Sequence, residues 1–237
     1  MAQNLRKDKA RTILTAIDMY FRILYDEATQ ATSYLLADLD VGAAVLIDPR
    51  SADLPVLNAM LNEHSLQLHW VLLTHQHEAQ EAGEQEALSA LGAPCIERDC
   101  RASDLIVFGN EHLRVLATPG HTSGCLSFLW RDRLFCGDLL TVNLCPHQPL
   151  PALPDALWDS VTRKIFTLPA ETLLFSCHAH RSRSVSNVLE QRRWHPWFCG
   201  AGRDEFLSRI ATASIDTDNH TDTAANSRRP LFASTNE

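Results

Sequence analysis

Apolar residues in this chain fall into short runs broken by polar turns, the pattern of a sheet-rich fold. Residues 33–37 and 43–48 are two such runs on either side of the polar stretch 38–42, which reads as a hairpin. Ahead of them the pattern suggests only a helix around residues 11–20. Leu54, Leu57, Met60 and Leu61 recur at helical spacing and predict an amphipathic helix over 54–64. Residues 70–74 form a short apolar strand running into His75. Residues 81–91 read as a helix ended by Gly92. In the second half, residues 105–108, 113–117, 125–130, 133–136 and 172–176 read as strands. Helices are predicted over 155–166, 185–193 and 204–210. Strands followed by helices, twice over, predict an α/β protein. Its architecture is an αββα sandwich of two mixed β-sheets packed face to face, with helices on the outer faces.

Length and composition narrow this further. At about 150 residues per domain, 237 residues make between one and two, and a layered α/β unit accommodates them as one. The domain is expected over 19–213, with an N-terminal extension at 1–18. Residues 214–237, rich in Ser, Thr, Asn and Asp, are expected to be a disordered tail. A formal charge of −8 disfavours nucleic acid and anionic membrane surfaces as partners. No apolar run approaches the ~18 residues a membrane span requires. The seven cysteines are odd in number, contain no C-x-x-C pair, and follow a start without a continuous apolar segment. Reduced thiols and a cytoplasmic location are therefore expected.

Four polar clusters each follow an apolar strand: Thr74-His75-Gln76-His77, Thr118-Pro119-Gly120-His121-Thr122, Cys136-Gly137-Asp138 and Ser176-Cys177-His178. Strand ends are where a sandwich collects side chains held by a rigid scaffold. Imidazoles with one carboxylate are a ligand set for a first-row transition metal. Taken singly, a histidine beside a strand is more often a surface or satisfied core residue and a Gly-Asp pair is usually a turn; the order and strand context of all four clusters give them weight together.

These clusters resemble those of the metallo-β-lactamase superfamily, whose pattern is T-H-x-H-x-D-H, then G-H-T, then G-D, then a late His. Within it the chain is most similar to the persulfide dioxygenase branch, with glyoxalase II as the sister group. The resemblance runs from about Phe21 to Ile210. It rests on Ala44-Val-Leu-Ile-Asp-Pro49, Thr118-Pro-Gly-His-Thr-Ser-Gly124, Gly137-Asp-Leu-Leu, Lys164-Ile-Phe-Thr-Leu-Pro169 and Ser184-Val-Ser-Asn-Val. It implies one Fe(II) per chain on His75, His121 and Asp138, with His77 a possible fourth ligand or neighbour and His178 in the pocket. Zn(II) is the alternative metal.

The departures are as informative. The x-D-H continuation falls on Ala79 and Gln80, so the ligands that hold a second metal in dinuclear hydrolases are missing. The family's Arg and Tyr substrate positions are His147 and His180, while Cys145 remains near the substrate channel. Arg183 is a candidate for a glutathione carboxylate. The implied activity is oxidation of glutathione persulfide, or a related small persulfide, by O2 to sulfite in sulfide detoxification. The partners would be a small thiol or persulfide and O2, with a homodimer compatible. Two rivals stand beside it: a single-zinc thioester or lactone hydrolase, and a non-catalytic relative that binds a thiol or a partner protein.

Overall fold

A computed structural model describes residues 19–77, 82–97, 105–180 and 183–226. The chain opens with three antiparallel strands, β1 (Met19–Tyr25), β2 (Thr32–Asp38) and β3 (Ala43–Ile47). Helix α1 (Leu54–Glu63) then returns it to β4 (Gln67–Leu72), parallel to β3. Helix α2 (Ala82–Ser89) leads to the two-residue β5 (Cys95–Ile96), parallel to β4. The second sheet begins as an antiparallel meander of β6 (Leu105–Phe108), β7 (Glu111–Ala117), β8 (Leu126–Trp130) and β9 (Arg133–Gly137). Helix α3 (Pro154–Ser160), prolonged by a wider turn over Val161–Ile165, crosses to β10 (Leu173–His180), parallel to β9. β11 (Arg183–Asn187), α4 (Val188–Trp194) and α5 (Arg203–Asn226) complete it. The sheets are ordered β1-β2-β3-β4-β5 and β11-β10-β9-β8-β7-β6, so both are mixed.

Strand alternation explains the layers. Tyr34 and Leu36 of β2 and Val45 and Ile47 of β3 face the second sheet and share a core with Phe128, Phe135 and Phe175. Their neighbours Leu35, Ala37, Ala44 and Leu46 face outward and pack against Leu57 and Leu61 of α1. The outer face of the second sheet, with Leu134, Cys136 and Leu174, is covered by Leu157, Val161, Phe206 and Ile210. Strands buried on both faces read as unbroken apolar runs, as β2 and β3 do. The expected αββα sandwich is therefore present. The two sheets are pinned together where Tyr34 donates to the Ser176 carbonyl at 2.6 Å and Ala31 bridges to His178. No helix among the described residues is long and apolar enough to cross a membrane.

Four expectations change. The helix suggested over 11–20 lies mainly outside the described residues. Met19 and Tyr20 belong instead to β1, paired with Asp38 and Ala37, because this edge strand completes the sheet that buries Tyr20. The helix expected over 185–193 starts only at Val188. Residues up to Asn187 pair with β10, and Asn187 caps the helix by accepting from the Glu190 amide at 2.8 Å. The helix expected over 155–166 keeps α-helical form only to Ser160. The helix expected over 204–210 runs from Arg203 to Asn226, so residues 214–226 of the expected tail are helical. Phe206 and Ile210 anchor its first turns in the core, and elongation of a formed helix gains one hydrogen bond per residue without a new nucleus. Residues 227–237 lie outside the described set.

The loop between β7 and β8 is clamped onto α3. Gly120 lies at φ +155°, and a Cβ there would come within 2.4 Å of the Leu157 Cα. Around it Ser160 Oγ donates to the Pro119 carbonyl at 2.8 Å, and the Leu153 amide to the Gly120 carbonyl at 2.9 Å. Gly120→Ala must push α3 off the sheet and is expected to cost about 1–3 kcal/mol. Chemical denaturation checks this, with a lower midpoint at unchanged slope expected.

Candidate metal centre

All four strand-end clusters meet at one end of the sandwich. His75 and His77 follow β4, His121 follows β7, Asp138 directly follows β9, and His178 lies near the end of β10. His75, His77, His121 and Asp138 each offer one ligand atom, and these atoms lie within 4.8 Å of one another. His75 Nε2 is 3.3 Å and His121 Nε2 3.7 Å from Asp138 Oδ2. The three imidazoles stand edge to face, with ring centroids 4.9–5.2 Å apart. His121 is 4% exposed and Asp138 2%.

A chain of hydrogen bonds orients His75. The buried Asp48 carboxylate accepts from the Thr74 amide at 2.7 Å and from the Thr74 hydroxyl at 2.9 Å. That hydroxyl in turn lies 2.9 Å from His75 Nδ1. A hydroxyl that donates to a carboxylate accepts from its other neighbour, so Nδ1 carries a proton and Nε2 is the nitrogen aimed at the cluster. Burial raises the Asp48 pKa from its ordinary value, against the hydrogen bonds from Thr74 and the nearby His75, which lower it. Gly137 makes room for this chain: at φ +55° it has no Cβ, and one there would sit 2.5 Å from Thr74 Oγ1.

The donors fit a cation. His121 Nε2 and His77 Nδ1 are buried without a hydrogen-bond partner, and a buried polar atom left unsatisfied costs on the order of 1–3 kcal/mol. Burial, together with the neighbouring imidazoles, lowers the His121 and His77 pKa values to about 4, so both are neutral at pH 7 with lone pairs to give. For His75, burial opposes the charged form, but contacts with Asp138 and Cys145 prevail and raise its pKa well above the histidine range. Burial likewise works against the Asp138 charge, but His178 and His75 overcome it and hold the carboxyl well below its ordinary pKa. Two neutral imidazoles, a third that gives up its proton on binding, and one ionised carboxylate suit a first-row transition metal.

The other candidates are distributed around this cluster. His178 donates from Nδ1 to Asp138 at 2.9 Å, and Thr141 Oγ1 donates to Asp138 Oδ1 at 2.8 Å. Cys145 is buried with its sulfur 3.3 Å from His77 Nε2. His147 is exposed, its ring 5.5 Å from that of His77. Gln148 donates to the His121 carbonyl. Ala79 and Gln80, and the side chains of His180 and Arg183, lie outside the described residues. Cys136 points away, donating to the Phe175 carbonyl, and burial pushes its thiol up to about 12. The sequence pattern did not single out Asp48, Thr141 or Gln148. For Asp48 the only signal was a carboxylate closing an apolar run before Pro49.

A two-sheet sandwich with a buried His/Asp cluster at its strand ends defines a metal-binding protein of the metallo-β-lactamase fold. The chain belongs to the metallo-beta-lactamase superfamily, whose family profile matches residues 101–178. It is 31% identical over 188 residues to the mitochondrial persulfide dioxygenase ETHE1 of Homo sapiens, covering 74% of each chain. It is 32% identical over 170 residues to a hydroxyacylglutathione hydrolase of Rhodospirillum rubrum, covering 66% of this chain and 65% of that one. The crystal structure of ETHE1 from Myxococcus xanthus superposes with a TM-score of 0.71 at 32% identity, covering 81% of this chain and 90% of the other.

Because His75 holds a proton at neutral pH while His77 and His121 do not, cation binding displaces a proton from His75. The apparent affinity is therefore expected to rise with pH through neutrality. Calorimetry in buffers of different ionisation enthalpy should show about one proton released per ion. Asp48→Asn breaks the orientation of His75 and is expected to weaken binding by roughly 10–100-fold in a competition titration with a chelator.

Proposed function

We propose that the chain is a mononuclear non-haem iron enzyme that oxidises a low-molecular-weight persulfide, glutathione persulfide foremost, with O2 to sulfite. The observation that carries this reading is the convergence of His75, His121 and Asp138 in a chain that has Ala79 and Gln80 where its dinuclear relatives have Asp and His. Its similarity to persulfide dioxygenases supports the same reading. Iron(II) held by these side chains would supply a redox-active centre with coordination positions open to a sulfur anion and to O2.

The chain's own residues make the rest of the site. Two neutral imidazoles and one carboxylate leave a divalent ion with a net charge of about +1, which favours an anionic persulfide. Asp48 and Thr74 fix the His75 ring, and His178 and Thr141 fix the Asp138 carboxylate. Gln148 ties the 143–150 segment to the His121 carbonyl, and the Asn143 amide closes that segment on the Pro149 carbonyl at 2.7 Å. It thereby sets Cys145 and the exposed His147 beside His77, where the substrate thiol would enter.

One observation favours a second reading. His77 places a fourth donor in the cluster, and four N/O donors suit tetrahedral zinc and hydrolysis, as in the hydroxyacylglutathione hydrolases the chain resembles. That site gains a position for water only if one donor withdraws. Metal analysis of protein purified without added metal separates the two.

The test is oxygen consumption by iron-loaded protein given glutathione persulfide, with sulfite as product. His121→Ala is expected to lower turnover by more than about 100-fold, since a ligand matters more than the groups that support it. Iron retained without oxygen uptake would refute the dioxygenase, and thiol binding under the same conditions would favour a non-catalytic role.

A further inference from the structure

We propose that His195 is a positioning residue of the metal centre: from the end of α4 it holds the Leu140 carbonyl, and through that peptide group it fixes the carboxylate of Asp138. The proposal rests on the metal centre of the function proposed above and not on the oxidation of a persulfide.

The turn that carries Asp138 is loosely tied by its own backbone. The Leu139 amide reaches the Cys136 carbonyl and the Thr141 amide the Asp138 carbonyl, both at 3.3 Å, just beyond the usual range of about 2.7–3.2 Å. Behind the turn a cavity of about 380 Å³ opens against α4, walled by Leu140, Leu144, Trp194 and Trp197. Close packing therefore does not hold this side of the turn. His195 does. Its Nε2 lies 3.0 Å from the Leu140 carbonyl oxygen, and its Nδ1 accepts from the Trp197 amide at 3.2 Å. An amide N–H only donates and a carbonyl only accepts, so both contacts require the same form of the ring: neutral, with its proton on Nε2. The ring is itself fixed. It is 4% exposed and meets Phe198 edge-on at 4.8 Å, and Phe198 stacks on Phe206 of α5.

The Leu140 carbonyl and the Thr141 amide belong to one planar peptide group. Holding the first aims the second at the Asp138 carbonyl and sets the start of the Thr141 side chain, whose hydroxyl donates to Asp138 Oδ1 at 2.8 Å. Thr141 thus engages Oδ1, while Oδ2 faces His75 and His121. The order of action is therefore Trp197 amide, His195 ring, Leu140–Thr141 peptide, Asp138 carboxylate. It mirrors the chain that runs from Asp48 through Thr74 to His75, but it starts in the C-terminal helical layer. Both devices set the angle of a side chain that would hold the ion, without contributing a donor to it.

Two amide variants of the full-length protein test this. In His195→Gln the amide nitrogen can stand where Nε2 stood and keep the donor to Leu140. In His195→Asn the side chain is too short for that carbonyl, but its oxygen can replace Nδ1 and keep the Trp197 contact. Cobalt(II) is titrated against a chelator while its visible d–d absorption is recorded. His195→Asn is expected to weaken cobalt binding about 10-fold, the low end for groups that orient a ligand, and to shift the absorption. His195→Gln is expected to recover wild-type affinity to within about threefold, with the wild-type spectrum, because the bond to Leu140 is kept. In a Thr141→Val background, His195→Asn is expected to lose most of its effect, since the two act in series. A residue that only packed the fold would lower the denaturation midpoint in both variants and move neither affinity nor spectrum, and that result overturns the proposal. Equal weakening by the two variants overturns it as well. Should a variant fail to fold by circular dichroism, nitrogen NMR of the histidine-labelled, zinc-loaded wild type decides. A neutral His195 with its proton on Nε2 is expected, and the other tautomer or a charged ring overturns the proposal. A wild type that binds no cobalt overturns the metal centre and this proposal together. Protein that shows the contrast between the variants but consumes no oxygen with persulfide refutes the dioxygenase alone.

Discussion

A carboxylate at 2% exposure organises this end of the molecule. A buried, ionised Asp138 is tolerated only where its charge is answered by donors on several sides. Those donors are His75, His178 and the Thr141 hydroxyl, each supplied by a different stretch of chain. The same requirement reaches further out. His75 can serve only if Thr74 and Asp48 hold its ring, and Thr74 fits there only because position 137 lacks a Cβ. Removing the carboxylate would leave three imidazoles facing one another in a dry site, where mutual repulsion disfavours their charged forms.

The sandwich was legible because its strands are buried on both faces, which makes them continuous apolar runs with abrupt polar ends. His75, His121 and Asp138 stood out for the same reason, each marking the end of such a run. The pattern was silent where tertiary pairing decides the outcome. Met19 and Tyr20 could extend a helix but are drawn into β1 by the free edge of β2. Residues 185–187 are polar enough to pass for a helix start, yet pair with β10. The length of α5 follows from its anchored first turns and not from the composition beyond them. Asp48, Thr141 and Gln148 escaped notice because they act through hydrogen bonds to other residues, and hydrogen-bond partners carry no sequence period.

Losing the Asp-His pair at 79 and 80 changes what the site is asked to do. Hydrolysis by a bridged pair of ions needs a nucleophile held between them, and the side chains that would hold the second ion in that way are absent. A redox reaction at one ion needs only an open face and a ligand set that tolerates a change of oxidation state. In the proposed function, His75, His121 and Asp138 would meet that requirement whether or not the rest of the family motif is intact. Under the proposed function the altered motif would remove hydrolysis by a bridged pair of ions without touching oxidation at one ion, so it is not in itself evidence of an inactive protein.

The 143–150 segment shows how the second half of the chain adapts the first. It carries Cys145 against His77, an exposed imidazole at 147 beside the same ring, and an amide that grips the His121 backbone. An ammonium or guanidinium at 147 would hold a permanent charge. An imidazole there can be neutral and can accept as well as donate a hydrogen bond. On the proposed function, recognition at this rim would depend less on a fixed ion pair with a glutathione carboxylate and more on hydrogen bonding near the sulfur. On that proposal, the rim would relax the demand for a tripeptide carrier, so that a smaller persulfide would meet the same contacts.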